Sequence, residues 1–463
     1  MTRFLNIFQE WLKTPRRVWH RTYPGRLVSI EVQQGGIFLL LGGVLVWYLV
    51  APSETIAFVL ATVAGMVGVA SVWVSRLALG LHARRILQSV AMQVGDELEE
   101  QVYLTNQSIF PALWVEFLDG SNLPGYTLSG VRGVGGGGSL SWRARTICSR
   151  RGVFTLGPWE VRTGDPFGLF LVRHQMLETQ EILVYPPLAV LPETLIPHRG
   201  KLGDHRPLRL PLQADTADGM SVREYVYGDS LRRIHWPTTA RKETPYVKVF
   251  EPESVSRIWL LPDLDPEVQL GDGEDSTEET IILLAASLAA RLLRDRFHVG
   301  VFLGGEEPVV ALPDRGLSTL WKLLELLAPC HPVTGNNLSR QLAQLRPLLS
   351  PRDMVLVISA AMNEDWVQSL QRLIPFYDRG GAWVLLLDPH SFGGTQQADD
   401  FRMLLANLGV ETRIVRRGDI RSMPGVYGEL SRWEFITLGT GRAIARQTPR
   451  RLAALFTGQD GLR

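Results

Sequence analysis

The stretch Gly219–Glu253 reads GMSVREYVYGDSLRRIHWPTTARKETPYVKVFEPE. It holds five acids, four arginines, two lysines, one histidine, three tyrosines and one tryptophan. Ser221 to Tyr227 alternates, so Val222, Glu224 and Val226 share one face of a strand and Arg223, Tyr225 and Tyr227 the other. Gly228 and Asp229 turn the chain. Asp229 or Ser230 caps a helical turn, Leu231 to Trp236, which Pro237 ends. Tyr246 to Phe250 alternates again and feeds the region that sets the fold class.

In that region, residues 255–463, apolar strands alternate with helical runs. The strands are Ser256–Leu261, Val299–Leu303, Met354–Ile358 and Trp383–Leu387. The helical runs are Thr280–Arg296, Leu317–Leu327, Leu338–Leu349, Trp366–Tyr377 and Ala398–Leu408. Continuous apolar strands between amphipathic helices predict a parallel sheet covered on both faces, an α/β doubly wound domain. Ligands of such sheets bind beyond the carboxyl ends of the strands.

Two motifs carry a family resemblance. The first is Arg223-Glu224-Tyr225, Gly228-Asp229, Arg232-Arg233-Ile234-His235-Trp236 and Thr239-Ala240-Arg241. The second is Arg151-Gly152-Val153-Phe154-Thr155-Leu156-Gly157-Pro158 followed by Asp165-Pro166-Phe167-Gly168-Leu169-Phe170. Together they resemble the bacterial domain-of-unknown-function-58 family. The resemblance implies that residues 255–463 form a von Willebrand factor A-like domain. It also implies work beside a MoxR-type AAA+ ATPase. Domains of that kind often hold a divalent cation on a D-x-S-x-S loop. The matching loop here is Asp263-Leu264-Asp265-Pro266-Glu267, without either serine, and the later strand ends Ser359-Ala360-Ala361 where an aspartate is expected. Asp263 and Asp265 are weak candidates for a cation, and no cofactor is expected.

Ahead of these domains lie two uncharged runs, Val32–Ser53 and Thr55–Ser75, separated by Glu54. Each has about the 20 residues that a helix needs to cross ~30 Å of hydrocarbon. The break Ala51-Pro52-Ser53-Glu54 predicts a tight turn, so residues 32–79 read as a transmembrane helical hairpin. Residues 1–31 read as a basic arm, lying on the membrane surface or disordered. Its Arg3, Lys13, Arg16, Arg17, Arg21 and Arg26, with Arg76, Arg84 and Arg85 after the second run, predict that both ends face the cytoplasm. The expected location is the inner membrane, multi-pass. Ala61 with Gly65 and Ala64 with Gly68 offer a small-residue face for close helix approach, within the hairpin or with another copy.

Residues 80–188 show period-two segments between turn signals, as in Glu97–Leu104, Leu113–Leu118 and Leu140–Arg145, and predict a β-sandwich. Asp165-Pro166-Phe167-Gly168 reads as a rigid structural turn that tucks Phe167, Leu169 and Phe170 into the core. Gly133–Ser139 lacks the Lys-Ser/Thr of a phosphate loop and reads as a flexible hairpin tip. Residues 189–254 are a connector carrying the signature.

Charge balance, 48 basic against 47 acidic side chains, argues against nucleic acid as partner. Cys148 and Cys330 are too far apart for a metal knuckle or a disulfide scaffold. Three readings of the signature stand. In one, Glu224 and Asp229 pair with Arg232, Arg233 or Arg241 and Trp236 is a buried wedge. In the second the segment is a docking face, rich in the residues that dominate interfaces. In the third His235 is a catalytic base. The leading functional expectation is a non-enzymatic, membrane-anchored cytoplasmic scaffold or adaptor serving protein assembly or activation. The alternatives are a hydrolase at the join of the sandwich and α/β domains and a metal-dependent receptor.

Overall fold

The strand Arg257–Pro262 (β1) is RIWLLP, apolar on both faces, and five of its six residues are buried. Its neighbours are His298–Leu303 (β2), Val309–Asp314 (β3), Asp353–Ser359 (β4), Ala382–Leu387 (β5) and Glu411–Val415 (β6). The sheet order is β3-β2-β1-β4-β5-β6. All pairs are parallel except β2 with β3, which is antiparallel. Helices Thr277–Arg294 (α1), Leu317–Leu327 (α2), Leu338–Leu345 (α3), Asp365–Gln371 (α4) and Ala398–Asn407 (α5) connect the strands. Trp259, Leu261, Val355, Val357 and Val384 pack on α3, α4 and α5. The other face of β1 lies against α1, whose Ile281, Leu284 and Leu288 are fully buried. Apolar strands buried on both faces are what this sandwiching requires. The predicted α/β arrangement is present, with two strands, β3 and β6, that the sequence reading did not name.

The computed structural model describes residues 16–87, 90–197, 220–226, 229, 231, 234–250, 257–350, 353–373, 381–423, 433–437 and 443–447. These fall into two compact units, one of them Leu188–Ser422 and the other made chiefly of the chain before it. In the Leu188–Ser422 unit the connector begins as a clamp on the α/β domain. Ala189 N–H donates to Ser287 Oγ of α1 at 2.9 Å, and Arg291 pairs with Glu193 at 2.8 Å.

The other unit is built of sheets. A six-stranded sheet contains Arg16–Tyr23, Arg26–Val32, Phe170–Met176, Trp159–Gly164, Ala112–Asp119 and Gly130–Val134, in that order. Two three-stranded sheets face the same core. Leu98, Val102, Phe117, Val161, Ile182 and Val184, drawn from all three sheets, are essentially inaccessible to solvent.

Residues 16–32 correct the arm expected at the N-terminus. They form a strand pair, and Arg26–Val32 runs antiparallel to Phe170–Met176 along its whole length. Val28, Ile30 and Val32 are buried against Ala70, Val74 and Ala78 of a helix. Glu31 is buried too, neutralised by Arg173 at 3.4 Å. Charge alone made this stretch look like an arm, but Arg21 and Arg26 lie outside the buried positions, which hold Val28, Ile30 and Val32 along with Ser29 and the paired Glu31. The apolar residues from Phe4 to Leu12 lie outside the described residues.

The uncharged runs form two helices, Gly36–Val50 and Glu54–Gly80. Ser53 caps the second, its side chain accepting from Ile56 N–H at 3.3 Å. The first has only 15 residues, because Val32 belongs to a strand and the chain turns before Gly36. Among the described residues one helix, Glu54–Gly80, is long and apolar enough to cross a membrane. Gly65 and Gly68 have open space where a Cβ would stand, so the small-residue face does not meet the first helix.

Two loop expectations also change. Leu169 and Phe170 are buried, but Phe167 is half-exposed. Asp165 accepts from the N–H of Phe167 at 2.8 Å and of Phe170 at 2.7 Å, and Gly168 takes φ +70°. That geometry holds the turn together and points its first aromatic outward. The glycine run Gly135–Gly138 joins strands of two different sheets. It is anchored at Gly136, where a Cβ would stand 2.3 Å from Ile109 O, while Gly135 and Gly137 have open space beside them.

Candidate docking surface

The signature folds as a small antiparallel ribbon, Met220–Glu224 against Tyr246–Phe250, with the turn and a short helix between the strands. Arg223 makes a two-pronged contact, Nη1 and Nη2 donating to the two Asp229 carboxylate oxygens at 2.8 and 2.7 Å. Asp229 also accepts from Val226 N–H at 3.0 Å, so one acid closes the turn and orients the arginine. Tyr246 OH donates to Glu224 at 3.3 Å. His235 caps the helix Trp236–Lys242, its Nδ1 accepting from Thr238 N–H at 3.4 Å. Its backbone N–H donates to Tyr246 O at 2.7 Å, and Tyr246 N–H donates to Thr239 Oγ1. Ile234 bridges to buried Val247. The polar groups of the motif thus fix its own backbone.

Its large apolar groups are left outside. Trp236 is 68% exposed, Leu231 68% and Val226 61%. The wedge expected of Trp236 is therefore corrected. It sits at the first position of a two-turn helix followed by Pro237, and the described residues leave it uncovered. Tyr225 is half-buried, and Arg241 and Lys242 are exposed in the last helical turn. Among the described residues Arg241 meets no acid within ion-pair distance. Gly228, Arg232 and Arg233 lie outside the described residues. His235 is held by its own helix, its Nδ1 paired with the Thr238 hydroxyl at 2.8 Å, and it meets no serine or cysteine among the described contacts.

A second place invites chemistry, the carboxyl ends of β1 and β4, where the strand order reverses. Asp263 is fully buried there. It accepts from Ser359 Oγ at 2.5 Å and from Asp265 N–H at 3.2 Å. Ser359 Oγ in turn accepts from Ala361 N–H. Asp265 turns to its own loop, accepting from Glu267 N–H at 3.2 Å. Burial pushes the Asp263 carboxyl up to about 6, against the lowering effect of its two donors. A hard divalent cation wants about six oxygens. One buried carboxylate, one hydroxyl and an aspartate engaged elsewhere do not supply them, and Ala360 and Ala361 add no side-chain oxygen. No group of three or more metal-binding side chains occurs among the described residues. The residues present do not fit the cation that the fold resemblance suggests.

Residues 221–375 match the family model described as protein of unknown function DUF58. The match begins in the ribbon and runs through β4 and α4, so the motif and the first four strands of the sheet lie within the matched stretch. The domain-of-unknown-function-58 resemblance stands on this match. An uncharacterized protein, YeaD of Bacillus subtilis strain 168, is 23% identical over 369 residues, covering 76% of this chain and 84% of its own length. A von Willebrand factor type A structure from Catenulispora acidiphila is 13% identical and covers 37% of this chain and 40% of that one, with a TM-score of 0.24. A CARDB domain from Pyrococcus furiosus covers 22% of this chain and 86% of its own, at 9% identity and a TM-score of 0.17. At these scores the structural likenesses carry no weight for fold or function.

Sequence reasoning missed one buried polar cluster altogether. Arg85 Nε donates to Glu100 at 2.6 Å, and Arg85 Nη2 to Tyr126 OH at 3.1 Å. Its Nη1 lies 3.5 Å from Asp119, and Tyr126 OH donates to Glu100. Burial first, then the bond to Glu100, pushes the Tyr126 hydroxyl up. The four residues are separated by up to 41 positions, and no local pattern announces them. The network ties three strands and the loop that carries Tyr126.

Proposed function

We propose that this chain is a non-enzymatic scaffold, anchored to the inner membrane with its domains in the cytoplasm, whose signature ribbon docks a partner protein. The partner that the family resemblance implies is a MoxR-type AAA+ ATPase. The single observation that carries the reading is the exposed trio Val226, Leu231 and Trp236 on a ribbon whose polar groups are spent on its own backbone. Exposed tryptophan beside arginine is the composition of an interface hot spot. Arg241 and Lys242 beside it suit an acidic partner surface. The chain carries no phosphate loop of its own, so work driven by nucleotide would come from the partner.

Anchoring has separate support. Strand Arg26–Val32 precedes the two apolar helices and Phe170–Met176 follows them, yet the two pair in one sheet. Both must lie on one side of any bilayer, so the helices would enter and return as a hairpin. The basic residues around them favour the cytoplasmic side. On this reading a β-sandwich sits at the membrane and a von Willebrand factor A-like domain carries the docking ribbon.

The test is affinity isolation of the tagged chain from solubilised membranes of its own cells. An AAA+ ATPase should be recovered. Trp236→Ala and Arg241→Glu should each lower that recovery, Trp236→Ala by roughly tenfold or more, the equivalent of about 1.4 kcal/mol. Recovery unaffected by both variants would remove the ribbon from the interface.

A further inference from the structure

We infer that the sheet unit holds one phospholipid acyl chain in a groove between the helix Glu54–Gly80 and the strands Arg16–Tyr23 and Arg26–Val32, an inference that rests on the membrane-anchored reading. The groove has a volume of about 290 Å³. Val18, Trp19 and Ile30 form one wall and Val74, Ala78 and Leu79 the other, with Phe170 at the base. Its two lining hydroxyls are already satisfied. Ser71 Oγ donates to Gly68 O at 2.8 Å and Ser75 Oγ to Ser71 O at 2.7 Å. Apart from these hydroxyls and the Trp19 indole N–H, the lining is hydrocarbon. The volume is at the lower limit of small-molecule sites, ~300 Å³, which suits a length of hydrocarbon and excludes a folded partner.

The place of the groove selects its occupant. The helix is uncharged from Thr55 to Ser75, and Arg76 is the first charge. At 1.5 Å per residue that run spans roughly 30 Å, the thickness of the hydrocarbon. The groove wall from Ser71 to Leu79 therefore straddles the level at which acyl chains give way to headgroups. Above it the helix shows lipid-like exposure, with Phe58 74%, Val69 53% and Val72 51% exposed. Basic residues stand on the same strand pair: the guanidinium carbons of Arg21 and Arg26 lie 5.2 and 4.7 Å from the Tyr23 ring centre. Arg76, the first charge after the uncharged run, falls within the span of the groove wall, so an anionic phospholipid is the favoured occupant.

The experiment uses the full chain reconstituted in phosphatidylcholine vesicles, with and without phosphatidylglycerol, containing a trace of lipid with a photoreactive acyl chain. After illumination the labelled peptides are mapped. Label is expected on residues 16–32 and 71–79 as well as on the lipid-facing helix 36–50, and more of it when phosphatidylglycerol is present. Ser75→Phe and, independently, Val18→Arg should at least halve the label on 16–32 while leaving that on 36–50 unchanged; both positions are exposed, so neither should unfold the chain. Label on 36–50 with none on 16–32, or label on 16–32 that neither variant lowers, overturns the lipid groove and leaves the anchor standing. A chain that leaves the vesicles on alkaline washing and carries no label on 36–50 overturns the anchor, and the groove with it.

Discussion

Trp236 and Trp366 are one residue type in opposite surroundings. Trp366 is 1% exposed, packs on Phe401 and donates through its indole to Ala361 O at 3.3 Å. Trp366→Ala should lower the stability of the detergent-purified chain by about 3–5 kcal/mol. Trp236→Ala should change it by less than about 0.5 kcal/mol, as exposed substitutions do. Urea midpoints for the two variants check this, and equal losses would mean that Trp236 is covered in solution. Asp263 makes a second residue-level case. Its carboxyl titrates near 6 in the folded chain and near 3.9 when unfolded. Between those values the folded state holds a proton that the unfolded state has lost, so stability falls as pH rises through that window and stays lower above it. Asp263→Asn removes the term. Relative to the parent it should therefore gain stability between pH 4 and pH 7, by on the order of 2–3 kcal/mol. The same difference at both pH values would show that the buried carboxyl ionises at its ordinary value.

At the scale of elements, the Arg85–Glu100–Asp119–Tyr126 cluster couples strands of two different sheets. The Arg85 side chain is 10% exposed and that of Glu100 1%. Arg85→Met leaves two carboxylates inside without their cation and should lower stability by about 3–5 kcal/mol, whereas Arg85→Met with Glu100→Met should recover part of that loss. Denaturant titration of the two variants decides it, and a double variant worse than the single would mean the pair is stabilising in itself. The same contrast explains what could be read from the sequence. β1, β2, β4 and β5 were legible because four to six consecutive apolar residues have few alternatives between helices. β3 was not: VVALPD is an edge strand, mostly exposed, with a proline near its end. The strands at 16–32 were hidden by their arginines, since only the partner at 170–176, some 140 residues away, shows which positions are buried. The signature motif was legible, but its pairing was not: Asp229 takes Arg223, where Arg232, Arg233 or Arg241 was expected. The outward Trp236 was not legible either, because a hydrophobic side chain carries no mark of whether a second layer will cover it.

For the whole molecule the decisive constraint is a pairing across the apolar helices. Seven residues of Arg26–Val32 hydrogen-bond in register with Phe170–Met176, and the helices Gly36–Val50 and Glu54–Gly80 lie between them in sequence. A single crossing by the longer helix would separate the two strands by a bilayer, so a membrane-anchored chain must return. The first helix is the weak limb: 15 residues rise ~22 Å, short of the ~30 Å core. The bilayer has to thin around it, or the turn at Ala51 stops inside the far headgroups. Both cases place the turn on the side away from the sheets. On the proposed orientation, with the sheets in the cytoplasm, Ala51→Cys should react with a membrane-impermeant maleimide in intact cells, while Pro24→Cys, in the turn between the first two strands, should react only after the membrane is opened. Native Cys148 is buried and Cys330 only partly accessible, and the parent chain provides their background. Reaction of Pro24→Cys in intact cells would invert the orientation. Reaction of neither until permeabilisation, with the chain still retained by alkaline-washed membranes, would mean that the helices dip into one leaflet and never reach the far surface.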